Sequence, residues 1–217
     1  MKKVAIILSG CGNRDGSELQ ETISLMLAMD RKGIAYQAYA PTGDLRVVSY
    51  LNGQETGERR DILAEAGRLT RGNTMDLAQL RVEDYDALAM PGGMGAARNL
   101  STYAFDGEKM TVHPLVERAL RAAHKAGKPI MGMCIAPIVI ARVLGDHGVS
   151  ITLGGVNDAS RAAQSFGAAA VVCGPTDVCR DPANRVVTTP AYMAASHISE
   201  IFDGARNMVD AFLEMTA

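Results

Sequence analysis

Cys134 is the residue of this chain best framed for covalent chemistry. It ends the apolar run Pro129–Met133 and stands in Gly132-Met133-Cys134-Ile135-Ala136, with small residues two before and two after it. That is the spacing of a nucleophile elbow, G-x-S-x-G, with Cys for Ser and Ala for the last Gly. The flanking residues must be small because the backbone passes so close to the raised side chain. A helix is predicted to start directly after Cys134, and its N-terminal amides would favour a thiolate and lower the thiol's pKa. The plain alternative is a packed core cysteine at a strand end.

Two further segments carry the residue types such a nucleophile needs. Pro91-Gly92-Gly93 follows the apolar run Asp86–Met90 and offers amides unobstructed by side chains, suited to an oxyanion. SGCGNRDGSE (9–18) follows the first apolar run and supplies Cys11, Asn13, Arg14, Asp15 and Glu18. Cys11 could line the same crevice or resolve an oxidised Cys134. Asn13 could orient a polar substrate or simply shape a turn. Glu18 opens a helix, where a carboxylate is ordinarily a favourable dipole contact.

The histidines give less. His113 and His124 belong near a surface helix and are expected to be solvated, while His147, in a glycine-flanked loop, could swing toward Cys134. His197 is predicted on the closing helix. The four cysteines, Cys11, Cys134, Cys173 and Cys179, form no C-x-x-C and come without a two-His pattern, so free thiols and no metal are expected. Cys173 and Cys179 read as structural.

These segments need a frame that brings them to one edge. Short apolar runs (4–8, 35–40, 86–90, 129–133, 185–188 and a piece at 171–172) alternate with helical patterns (18–31, 59–68, 76–80, 114–126, 135–144, 196–213). Such alternation gives a mostly parallel sheet with helices on both faces, whose sites form beyond the carboxyl ends of the strands. With 217 residues and no linker or repeat, one domain spanning 1–217 is expected. A net charge of -2 argues against nucleic-acid binding. The apolar core Val4–Leu8 is shorter than the roughly 7–15 residues of a signal peptide, and no run approaches the ~18 that span a membrane. A cytoplasmic protein is expected, or a matrix one.

The PGG loop, the GMCIAP elbow and an acid in the first strand–helix loop resemble the PfpI-like branch of the class I glutamine amidotransferase-like superfamily. MKKVAIILSGCGNRDGSELQE, RGNTMDLAQL, MPGGMGAARNLSTYA, GKPIMGMCIAP and VVTTPAYM, in that order, resemble its ElbB group (enhancing lycopene biosynthesis, or sigma cross-reacting). The resemblance implies a flavodoxin-like three-layer α/β/α sandwich, a homodimer, and cofactor-free glyoxalase activity. It implies Cys134 as nucleophile, Glu18 as the acid touching its sulfur with a raised pKa, and Gly93 and Ile135 as oxyanion amides. A small 2-oxoaldehyde, glyoxal in the simplest case, would become a 2-hydroxyacid, glycolate, through a cysteine hemithioacetal. The alternative is a redox-responsive regulatory or chaperone-like protein linked to isoprenoid biosynthesis, with Cys134 as sensor. The chain departs from hydrolytic relatives. Ile135 stands where peptidase-like members carry histidine, Ile151–Gly155 holds none, and Thr189-Pro190-Ala191 replaces a His-x-Glu. Proteolysis and amide hydrolysis are therefore not expected, and turnover should be slow.

Overall fold

Val4–Leu8 are all completely buried, the signature of a strand covered on both faces at the centre of a parallel sheet. In the computed structural model, which describes residues 1–216, β1 (Lys3–Ile7) lies between β2 (Ala35–Ala40) and β6 (Ala87–Met90), parallel to both. The hairpin β3 (Asp44–Val48) and β4 (Glu55–Asp61) stands outside the sheet. The full order is β10-β11-β7-β6-β1-β2-β5, with β5 at Thr74–Asp76, β7 at Ile130–Met133, β10 at Cys179–Asp181 and β11 at Val186–Thr189. Only β10 runs antiparallel to its neighbour. A short pair, β8 (Ser150–Ile151) and β9 (Ala169–Ala170), completes the strands.

The chain leaves β1 toward β2 through α1 (Leu19–Arg31), but leaves β6 in the opposite direction, through α3 (Met94–Arg98), α4 (Tyr103–Asp106) and α5 (Pro114–Lys125), to reach β7. Right-handed crossovers in opposite directions put their helices on opposite faces. Accordingly α1 packs with the closing helix α8 (Ile198–Met215), and α5 packs with α6 (Pro137–Leu144). α2 (Ile62–Leu69) and α7 (Asp158–Ser165) fill the remaining crossovers. This is the flavodoxin-like α/β fold. The direction reverses between β1 and β6, and the crevice beyond their carboxyl ends is where such sheets place ligands. Met90 pairs with Gly132 and Met133 with Thr189, so the segments after β6, β7 and β11 leave from one edge.

Several expected elements move. The helix predicted from Arg59 begins at Ile62, because Arg59–Asp61 belong to exposed β4 and Asp61 caps α2 through Ala64 N (2.7 Å). The helical piece expected at 76–80 is a single tight turn, Leu77–Gln79. Val171 and Val172 lie just past β9, where Val171 N still reaches Ile151 O but Val172 is exposed. Among the described residues, no helix is long and apolar enough to cross a membrane.

Candidate active site

Cys134 sits at the turn the sequence predicts. Its φ of +58° is a left-handed conformation rare outside glycine, of the kind that costs of order 1–3 kcal/mol and clusters at functional sites. The turn is held from below by Cys134 N donating to Thr189 O (3.0 Å) and Ala136 N donating to Met133 O (3.0 Å). Pro137 opens α6 directly afterwards. The cysteine is 8% exposed, and the amides of Gly93 and Ile135 face its sulfur.

The acid against that sulfur is Glu21, not Glu18. Glu18 is the N-cap of α1, and its Oε2 accepts from Glu21 N (2.7 Å), which turns its carboxylate into the helix start. Glu21, one turn on, is completely buried. Its carboxylate faces the Cys134 thiol, accepting from Gly92 N (2.9 Å) through Oε2 and from Tyr192 N (3.4 Å) through Oε1. Gly92 is therefore not a free oxyanion donor: its amide is spent on Glu21, and its carbonyl accepts from Glu18 N (2.9 Å). Its lack of a side chain is essential. A Cβ there would collide with Cys134 Cβ and come within 2.7 Å of Glu21 Oε2.

The same economy joins the first and third loops. Gly95 N donates to Gly16 O (2.9 Å) and Met94 N to Asn13 O (2.7 Å). A Cβ at Gly93 would strike Glu18 N and Gly16 O, and one at Gly95 would meet Gly16 Cα at 2.6 Å. Backbone lies on backbone with no side chain between.

Burial raises Glu21 from the ordinary 4.5 to about 7, helped by the charge of Glu18, and outweighs the pull of the Cys134 thiol and of the Gly92 and Tyr192 amides. Burial also raises Cys134 well above a free thiol, reinforced by the Glu21 carboxylate. The expected lowering by helix amides is corrected here: Gly93 and Ile135 do pull the thiol down, but desolvation beside an acid wins. The two groups thus act as one acid, losing a first proton near neutrality and resisting loss of the second.

The other candidates lie elsewhere. Asn13 is exposed and contributes its backbone carbonyl to Met94. Cys11 is half-buried, raised by burial and then by Glu65, with Arg68 and Asp15 also near, so its polar neighbours come from α2 and its own loop. His147 lies beyond α6, at the far end of β7 from the elbow, beside His124 (ring centroids 4.4 Å) and Asp146 (3.8 Å). It does not serve Cys134. His124 contacts Asn184 Oδ1 (3.1 Å), and His113 caps α5 by accepting from Leu115 N (3.2 Å), so neither is the solvated surface group expected. Cys173 and Cys179 are free, with Cys179 buried.

Glu21 escaped the sequence reading although a signal existed. The buried face of α1 is Glu21, Thr22, Ser24, Leu25, Ala28 and Met29, while Leu19, Ile23 and Leu27 are 40–52% exposed. Glu21 stands one turn before Leu25 and two before Ala28, a charge in register with the inward stripe.

No family model matches the chain. It is 40% identical over 225 residues to the human glutamine amidotransferase-like class 1 domain-containing protein 3, mitochondrial, covering 99% of this chain and 83% of that one. The chain belongs to the class I glutamine amidotransferase-like family. A second relative, the mitochondrial ES1 protein homolog of Rattus norvegicus, is 39% identical with 99% and 84% covered. Among solved structures, an isoprenoid biosynthesis protein with an amidotransferase-like domain from Ehrlichia chaffeensis superposes with a TM-score of 0.90 at 33% identity, covering 98% and 99%. A DJ-1 superfamily protein of Salmonella typhimurium, at 24% identity and a TM-score of 0.58 (94% and 86% covered), shares the fold.

Proposed function

We propose that this superfamily member is a cofactor-independent glyoxalase that converts small 2-oxoaldehydes to 2-hydroxyacids, glyoxal to glycolate in the simplest case. The observation that carries the reading is the buried Cys134–Glu21 pair under the Gly93 and Ile135 amides. A general base works best with a pKa near the operating pH, and Glu21 is raised to about 7.

As the Cys134 sulfur adds to one aldehyde carbon, the Glu21 carboxylate takes the thiol proton. The carbonyl oxygen becomes an alkoxide facing the Gly93 and Ile135 amides. It then takes that proton, giving the hemithioacetal. Glu21 next removes the hydrogen on the thiol-bearing carbon as the electron pair forms an enediol with the second carbonyl, and hands that proton to the second carbonyl's oxygen. It then moves the proton of the first hydroxyl to the second carbon, and the first oxygen collapses to the carbonyl of the glycolate thioester. Water cleaves it, restoring the Cys134 thiol. Ile135, Ile151–Gly155 and Thr189-Pro190-Ala191 lack the histidines that hydrolytic relatives carry there to activate such a water, so this last step is the slow one. The balance is glyoxal plus water to glycolate, without net oxidation.

Within the superfamily we assign the chain to the ElbB group on the segments quoted above. The reading needs a reducing compartment, the cytoplasm or a matrix, where all four cysteines stay free. The sensor alternative, with its isoprenoid link carried by the Ehrlichia protein's name, fits less well: sensor thiols are exposed and low in pKa, and Cys134 is neither. The test is glycolate production from glyoxal, with chelator and without added thiol, by the wild type, Cys134→Ser and Glu21→Gln. Glycolate from the wild type alone supports the mechanism. Equal glycolate from Cys134→Ser refutes it, and none from the wild type favours the regulatory role.

A further inference from the structure

Two carboxylates stand one helical turn apart at the start of α1, and only one of them touches the nucleophile. Glu18 is 8% exposed and Glu21 completely buried. Burial raises the Glu18 carboxyl above its ordinary value, while Glu21 N, donating to its Oε2 at 2.7 Å, and the amides of Gln20 and Leu19 at the positive end of α1 pull it back toward the ionised form. Its backbone is tied as firmly, with Glu18 N on Gly92 O (2.9 Å) and Thr22 Oγ1 on Glu18 O (2.6 Å). A charge fixed this closely cannot swing away from its neighbour. No cation faces it in return: none of the chain's ion pairs among the described residues includes Glu18 or Glu21.

We propose that Glu18 is a positioning residue that acts through Glu21: its negative charge, fixed at the start of α1, makes Glu21 a stronger base toward the Cys134 thiol as the sulfur attacks. This deepens the glyoxalase reading and rests on it for its purpose, but its content is electrostatic and can be tested apart from turnover. Like charges one turn apart in a dry site oppose a second ionisation. Without the charge of Glu18, Glu21 would hold its proton less tightly and the elbow would lose base strength where it is needed. The groups that face Glu21 are few. Glu18 comes from its own helix start and Cys134 from the elbow. Gly92 contributes an amide from the third loop, and the turn after β11 contributes the amide of Tyr192, whose phenol bonds Gln20 instead. On α8, which packs along α1, Glu200 is occupied at the surface by Ser196 N (2.8 Å) and His197 N (2.9 Å). Glu18 is the one carboxylate left to set the proton affinity of Glu21.

Glu18 also caps a helix, so the test must separate charge from cap. Asn and Asp are both good N-caps, one neutral and one charged. The full-length wild type, Glu18→Asn and Glu18→Asp are labelled with carboxyl-13C glutamate, and the Glu21 signal, assigned by its loss in Glu21→Gln, is followed from pH 3 to 9. Thermal unfolding of each variant confirms the fold. The expected result is a Glu21 midpoint near neutrality in the wild type and in Glu18→Asp, and lower by about one pH unit in Glu18→Asn. An unchanged midpoint in folded Glu18→Asn overturns the proposal, as does a wild-type midpoint in the ordinary carboxyl range. Absence of glycolate with the shift intact would refute the glyoxalase and leave the charge coupling standing.

Discussion

The two ends of β7 hold similar chemistry in opposite states. At the amino end, Lys128 donates to the carbonyls of Val82 (2.9 Å), Glu83 (3.0 Å) and Tyr85, and Asn184 braces Asp181 (2.8 Å) beside the His124–His147 pair. These side chains meet their partners at the protein's edge. At the carboxyl end, two acids share a dry site, one on a strained backbone, and the nearest amides point at a sulfur. The difference teaches that a density of polar residues is no sign of a working site. Paired groups near water build stability, whereas a thiol on a strained turn beside a buried acid whose pKa is raised to about 7 can do chemistry.

The comparison breaks most sharply if the carboxyl end can be emptied without loss. Cys134→Ser should lower glyoxal turnover by about a thousandfold or more with the fold intact by circular dichroism, since it removes the atom that forms the bond. Glu21→Gln keeps the shape and an acceptor for Gly92 N but cannot carry a proton. A loss of about a hundredfold or more in glycolate formation is expected, with Cys134 still present by intact mass.

Stability should sharpen the contrast in the reverse sense. Glu21 binds its proton more tightly folded (about 7) than unfolded (4.5), so the folded state is favoured below pH 4.5 and loses that advantage as pH rises to 7. The wild type should lose about 3 kcal/mol over that window relative to Glu21→Gln, read from urea unfolding at each pH. Parallel curves for the two proteins would contradict a buried, raised Glu21. Gly92→Ala should cost about 1–3 kcal/mol and disable the pair, because the new methyl has no space between Cys134 and Glu21. The smallest effect belongs to the amino end. His147→Ala should change stability by no more than about 0.5 kcal/mol and leave glycolate production as it was.

Much of this arrangement was legible in residue order. Glycines and small residues marked the elbow and the PGG loop because close backbone approach forbids anything larger. Uninterrupted apolar runs such as Val4–Leu8 marked strands buried on both faces. Glu21 was hidden by its surroundings: the conspicuous apolar residues of α1, Leu19, Ile23 and Leu27, face outward, and the buried stripe is made of small or polar side chains. Helical periodicity says which residues share a face but not which face is inside. The thiol's pKa was misjudged for a related reason. A helix start is visible in sequence, whereas the burial that outweighs it comes from tertiary packing, and the acid that reinforces it from a helix more than a hundred residues earlier. The β3–β4 hairpin was missed because β4, Glu-Thr-Gly-Glu-Arg-Arg-Asp, is almost wholly exposed and carries no apolar alternation to read.

The glycine seam between the first and third loops has a consequence for how the site comes apart. Side chains hop between rotamers on fast timescales, and most sites loosen that way before they unfold. Where Gly16, Gly93 and Gly95 meet, there is no rotamer to change. Local breathing would have to pull whole stretches of main chain away from each other, breaking Gly95 N to Gly16 O and Glu18 N to Gly92 O in one event. The amides of Glu18 and Gly95 should therefore exchange with deuterium at a single slow rate, close to that of the central strands, so that the chemistry sits in one of the stiffest regions of the molecule.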